Sequence, residues 1–151
     1  MAPSPVARAS IPIQQVAPEK KSYYMSEGVF VGGHTQENLT LFNVRQSRQK
    51  HFEERLVFDI GNTRPGFFHI SIQKNLHRLV IDLENTVDSK VTASRLKEIF
   101  RKSRIFKTPH LFQDTLTKSV TIEIPLKREV QVEVFELAGF KMPGRIVVDV
   151  K

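Results

Sequence analysis

One six-residue phrase recurs along this chain, and it dictates strands. Arg55-Leu56-Val57-Phe58-Asp59-Ile60, Arg78-Leu79-Val80-Ile81-Asp82-Leu83 and Arg145-Ile146-Val147-Val148-Asp149-Val150 share the order Arg, aliphatic, Val, apolar, Asp, aliphatic. A looser fourth copy runs from Lys118 to Ile124, with one residue inserted before its acid, Glu123. Branched apolar residues suit a pleated backbone, and successive side chains leave a strand on opposite faces. In the first copy Leu56, Phe58 and Ile60 therefore form a core face, and Arg55, Val57 and Asp59 an outward one. Arg and Asp four residues apart in one strand are separated by about 13 Å, too far to pair. Two antiparallel copies bring the Arg of one opposite the Asp of the other. That predicts a cross-strand ion pair at each end and an outward ladder of Arg, Val and Asp. The copies starting at 55 and 118 lie 63 apart and those at 78 and 145 lie 67 apart, the mark of a duplicated strand group.

Alternation of apolar and polar residues places further strands around these copies. The candidates are 39–45, 54–60, 67–73, 78–83, 118–124, 130–137 and 145–150, with breakers at Gly61-Asn62, Pro65-Gly66, Asn75, Pro125, Gly139 and Pro143-Gly144 between them. One segment departs from the alternation. Leu96, Ile99 and Phe100 recur at helical spacing among charged residues, predicting a short amphipathic helix over 92–102. The expected fold is mostly β: a small β-sandwich of two symmetry-related antiparallel sheets with one short amphipathic helix between the repeats. A chain of 151 residues suffices for one such core. Residues 1–22 hold four of the eight prolines and no aromatic residue, and read as a linker or disordered arm. Residues 23–38 form a lead-in with one short apolar run, Val29-Phe30-Val31, ended by a Gly32-Gly33 turn. The domain proper is expected over 39–151.

These strands, the Leu39-Thr40-Leu41-Phe42-Asn43-Val44-Arg45 strand before them and the twofold repeat resemble the AMIN domain. This is the non-catalytic N-terminal module of bacterial N-acetylmuramoyl-L-alanine amidases, also found in type IV pilus secretins and other envelope proteins. The resemblance covers roughly residues 39–151. It implies a sandwich of two related sheets whose outer faces carry the motifs, and a role in binding the cell wall or its machinery. The matching positions are Arg55 and Asp59, Arg78 and Asp82, and Arg145 and Asp149. The fourth copy departs from the pattern, with Lys118 for Arg and Glu123 for Asp in a shifted register.

Charge and composition narrow the chemistry. There is no cysteine, which removes disulfides, thiol nucleophiles and cysteine-ligated metals. No apolar run approaches the roughly 20 residues that span a bilayer as a helix. The net charge of +7 is concentrated: residues 95–107 carry six basic residues, Arg95, Lys97, Arg101, Lys102, Arg104 and Lys107, against Glu98 alone. The simplest reading of that patch is a solvated helix face, with Leu96, Ile99 and Phe100 docked on the sandwich, ahead of attraction to the wall or an anionic lipid and of nucleic-acid binding. The five histidines, His34, His51, His69, His77 and His110, form no zinc-binding pair, and His69 and His77 are expected on the surface or in a turn. Glu53-Glu54 reads as a solvated acidic pair. There is no P-loop, no dinucleotide fingerprint and no nucleophile elbow. No enzyme, no metal and no cofactor are expected.

Three functions follow as expectations. The first is a cell-envelope binding and localisation module that contacts peptidoglycan or an envelope partner through Arg55, Arg78 and Arg145, with Asp82 orienting them. The second is nucleic-acid binding through the basic segment, with Phe100 and Phe106 stacking on bases, and it is disfavoured. The third is protein interaction by strand addition, as in a secretin or pilus assembly or with a parent amidase, where Pro125 and Pro143 protect sheet edges. The resemblance implies a periplasmic or envelope location. Met1-Ala2-Pro3-Ser4-Pro5 reads as a start placed on a shortened chain, so an export signal is expected to have been removed.

Overall fold

A computed structural model describes residues 11–151. It contains eleven strands and one helix in two sheets, packed as a β-sandwich. The strands are β1 (Ile13–Gln15), β2 (Gly28–Gly32), β3 (Leu39–Arg48), β4 (Glu54–Ile60), β5 (Phe68–Gln73), β6 (Arg78–Leu83), β7 (Thr86–Ser89), β8 (His110–Asp114), β9 (Ser119–Pro125), β10 (Val132–Leu137) and β11 (Gly144–Val150). Helix α1 covers Ala93–Phe100. Sheet A has the order β1-β2-β5-β6-β9-β8, and sheet B the order β10-β11-β4-β3-β7.

The duplication is visible in this topology. The first repeat supplies the hairpin β3-β4 to sheet B and the hairpin β5-β6 to sheet A. The second supplies β8-β9 to sheet A and β10-β11 to sheet B. Exchanging the two repeats turns β5-β6-β9-β8 into β10-β11-β4-β3, so the four-stranded centres of the sheets are related by a pseudo-twofold. The motif strands meet at the middle of each sheet, β4 with β11 and β6 with β9. Their apolar faces form the core: Leu56, Phe58, Ile60, Ile146 and Val148 of sheet B face Ile70, Leu79, Ile81, Val120 and Ile122 of sheet A across the interior, all buried. A strand buried on one face has its register set by that face, because a slip of one residue would expose the whole apolar set.

Four features differ from the sequence expectation. The sheets are mixed, because β1 lies parallel to β2 and β7 parallel to β3 at their edges. Residues 11–22, read as an arm, pack on the body, whereas the rest of that stretch lies outside the described residues. Glu19, Ser22 and Met25 donate backbone hydrogen bonds to β10, and β1 and β2 then continue on sheet A, so this segment closes one side of the sandwich. Pro125 and Pro143 protect no edge: Pro125 lies in β9 between β6 and β8, and Pro143 precedes the central β11. Gly32 ends β2 as a paired strand residue and opens no turn, and the glycine at 33 is required sterically. Gly33 has φ +98, and a Cβ there would collide with the carbonyl of Gly66.

Helix α1 forms where the periodicity places it. The Thr92 hydroxyl accepts a hydrogen bond from the Arg95 amide at 3.2 Å, capping the first turn. Leu96 and Phe100 are buried, with Ile99 packed beside them. The chain beyond the helix is held by Glu54, which is 2% exposed and not solvated as the sequence suggested. Its carboxylate accepts from Ser103 Oγ at 2.7 Å, the amides of Arg104 and Ile105 at 3.0 and 3.1 Å, and Gln46 Nε2 at 2.6 Å. A buried carboxylate is tolerated because each lone-pair region has a donor.

Candidate functional site: the outer face of sheet B

The register of β10, β11, β4 and β3 arranges their outward residues in rows. One row runs Glu133, Asp149, Arg55, Ser47; the next Phe135, Val147, Val57, Arg45; the third Leu137, Arg145, Asp59, Asn43. The ladder of Arg, Val and Asp expected from the sequence is therefore present on this face, with Arg55 opposite Asp149 and Arg145 opposite Asp59. Arg55 grips Asp149 with two parallel bonds, Nε to Oδ1 at 2.7 Å and Nη2 to Oδ2 at 2.9 Å. Such forked pairs are the strongest ionic contacts a sheet surface offers.

The second rung is made differently. Asp59 is taken by Arg45 of β3, through Nε at 3.1 Å and Nη2 at 2.9 Å. Arg145 consequently has no carboxylate at ion-pair distance among the described residues, and its Nε is buried without a hydrogen-bond partner. The Arg145–Asp59 pair expected from the sequence is thus replaced by Arg45–Asp59. Arg45 belongs to the strand read over 39–45 and lies on its outward side, so its phase was the available signal.

Around Arg55 the face becomes a compact charged cluster. The guanidinium lies over the Phe135 ring at 5.6 Å, and the Lys21 ammonium approaches the same ring at 5.5 Å. Lys21 also lies 3.7 Å from Glu133, and the Lys151 ammonium sits 4.0 Å from the centre of the Tyr24 ring. Burial pushes the Glu133 carboxyl up, Lys21 opposes that, and the Asp149 charge adds to it. Burial, reinforced by Glu133, Glu53 and Asp149, pushes the Tyr24 phenol up to about 12. The bond to Asp149 raises the Arg55 guanidinium above its ordinary value. Lys21, Tyr24, Glu133 and Phe135 carry no signal in the repeated motif. Only the docking of the N-terminal segment along β10 brings Lys21 and Tyr24 here.

The corresponding face of sheet A holds the other motif copies and is built otherwise. Arg78 bonds Gln73 Oε1 at 2.5 Å and reaches Glu123 only at 3.5 Å. Asp82 accepts from Thr121 Oγ1 at 2.6 Å and lies opposite His69 on its other side. It does not orient an arginine. The pairing register is the reason: β9 is offset by two residues against β6, so the position opposite Arg78 is Pro125 and that opposite Asp82 is Thr121, while Glu123 falls opposite Val80. His69 lies outward on β5 and His77 in the turn before β6, as expected of surface or turn histidines.

The basic segment is divided rather than gathered on one surface. Arg95 pairs with Glu98 at 3.3 Å. Lys97, Arg101 and Lys107 border a cleft beside α1, Arg104 borders a separate hollow with Arg48, and the Lys102 carbonyl accepts from Arg48 at 2.8 Å. Phe100 and Phe106 are buried and pack edge to face at 5.7 Å, so neither presents a ring face to a base. Among the described residues no group of three or more His, Asp or Glu side chains is placed to hold a metal ion. No helix there is long and apolar enough to cross a membrane. No protein-family model matches this chain, and no curated protein matches it either.

Proposed function

We propose that this domain is a non-catalytic module of the bacterial cell envelope, resembling an AMIN domain, that uses the outer face of sheet B to bind peptidoglycan. The observation that carries this reading is Arg145, whose register partner Asp59 is held by Arg45, leaving a cation on the ladder without a carboxylate. Muropeptides offer carboxylates and acetamides, and a guanidinium fork matches a carboxylate with two parallel bonds. Arg45 and Arg55 hold their acids and shape the rungs on either side, while Val57 supplies an apolar step between them. The role is placement: a ligand held on this face fixes the position of whatever the chain is joined to or bound by.

Sedimentation with purified cell-wall sacculi tests the reading. The domain is expected to pellet with the sacculi, Arg145→Ala to lose most of that pelleting, and Arg78→Ala on sheet A to retain it. A wild-type domain left in the supernatant, or Arg145→Ala pelleting like the wild type, overturns it.

A second reading rests on a separate observation. Among the described residues the outer edge of β8 has no strand beside it, and Phe112 within β8 and Leu116 just after it are exposed. An envelope protein such as a secretin or pilus component would bind there by adding a strand. Crosslinking from Gln113 distinguishes this route from wall binding.

A further inference from the structure

The six basic residues of the 95–107 segment are more than a docked helix requires, and three of them converge with a fourth cation from elsewhere. Lys97 and Arg101 of α1, Lys107 of the following segment and Lys127 of the β9–β10 connection border one cleft of about 510 Å³. Its floor is the buried pair Phe100 and Phe106. The one acid on its rim, Glu98, is engaged by Arg95. Cations in the last turn of a helix are favoured by its carbonyl ends, which accounts for Lys97 and Arg101 but not for Lys107 and Lys127.

Convergence of like charges costs energy, and here the backbone is braced to keep it. Glu54 holds the amides of Arg104 and Ile105, the Ser103 hydroxyl accepts from the Phe106 amide at 2.8 Å, and Lys127 Nζ donates to the Ser103 carbonyl at 2.7 Å. The Lys107 amide is in turn bonded to the Pro125 carbonyl at 2.9 Å. The cations thus border the cleft from three parts of the chain fastened to one another, the arrangement of a preorganised anion site.

We propose that this cleft binds phosphate, and that the phosphate is the headgroup of an anionic glycerophospholipid. A phosphate offers several acceptor oxygens to lysines and to an arginine fork at once. Lys97, Arg101, Lys107 and Lys127 are all exposed around an open cleft, so a surface carrying many phosphates engages more of them at once than one free phosphate does. A nucleic acid is the poorer fit, since the cleft's two aromatic rings are buried against each other and unavailable for stacking. The site is distinct from the Arg/Asp ladder.

Flotation of the full chain with vesicles tests the proposal at about 0.1 M salt, where attraction reaches about 10 Å. The chain is expected to float with phosphatidylcholine vesicles containing phosphatidylglycerol and not with pure phosphatidylcholine. Lys97→Glu with Arg101→Glu, both exposed, should reduce binding at least tenfold with an unchanged melting temperature. The same charge reversal at Lys20 and Lys141, away from the cleft, should reduce it less than threefold. Three results overturn the proposal: no binding to the anionic vesicles, equal losses from the two double reversals, or tighter binding to a single-stranded oligonucleotide than to the vesicles. Amide shifts at residues 97–107 with millimolar inorganic phosphate, without flotation, would assign the cleft to free phosphate and overturn the lipid source.

Discussion

The two outer faces of the sandwich descend from the same repeated phrase, yet one is an ionic lattice and the other is not. On sheet B, β4 and β11 both carry Arg and Asp four residues apart, and their antiparallel register places each Arg opposite an Asp. On sheet A the partner of β6 is the degenerate copy in β9, whose acid falls one row away from Arg78. A motif of this kind acts through its cross-strand partner. A pairing register offset by two residues leaves Arg78 opposite Pro125 and so removes the forked pair from this face, while an even offset keeps the core side of the same strand in phase. Val120, Ile122 and Ile124 are buried in the core, and Ser119, Thr121 and Glu123 alternate with them on the outward side.

Cutting the stronger rung should break the comparison most clearly. Asp149→Ala leaves Arg55 without its forked partner on a half-buried face and is expected to cost about 2 kcal/mol, measured by urea unfolding. Glu123→Ala, which removes the long contact to Arg78, is expected to cost less than about 1 kcal/mol. Equal losses would erase the distinction between the faces.

The charged cluster of sheet B should also show in pH dependence. The Tyr24 phenol is raised from 10 to about 12 on folding, so folding favours its neutral form. Its contribution is complete below pH 10 and is lost as pH rises from 10 to 12. Wild-type protein is therefore expected to lose more melting temperature over that interval than Tyr24→Phe. Glu133 is likewise raised, so its ionised form is disfavoured in the native state at neutral pH. Glu133→Gln should raise the melting temperature by a few degrees at pH 7. The gain should vanish below the ordinary carboxylate range, where the wild-type side chain is protonated in both states.

The smallest effect comes from restoring the missing rung on sheet A. Pro125→Asp places a carboxylate opposite Arg78. A gain of about 0.5 kcal/mol is expected, and its loss in the double variant with Arg78→Ala would identify the new pair as its source.

The elements legible in the sequence were those with one buried face. The seven alternating segments all occur as strands, with 78–83 and 54–60 matching end to end, because a half-buried strand writes its period into the residue order. The edge strands β7 and β8 were not legible. His110–Asp114 is largely exposed and carries no core alternation, and its strand character comes from its neighbour β9. The β1 strand escaped for a similar reason, since its three residues are anchored by β2 rather than by an apolar pattern of their own.

The site followed the same division. That Arg55 and Asp59 leave one face of their strand, and Arg145 and Asp149 one face of theirs, was determined by alternation alone, because alternation is a local property of an extended chain. Which Arg holds which Asp was decided by tertiary structure, since the neighbour of a strand is set by sheet order and not by sequence adjacency. Arg45 reached Asp59 because β3 pairs with β4 on the side away from β11, and Arg145 was left without its acid as a consequence. Lys21 and Tyr24 joined Glu133 only because the N-terminal segment docks on β10. The net charge of +7 was likewise a fact of composition. That Lys97, Arg101, Lys107 and Lys127 border one cleft depended on tertiary structure, with a buried glutamate holding the chain beyond the helix through a contact between residues about fifty positions apart.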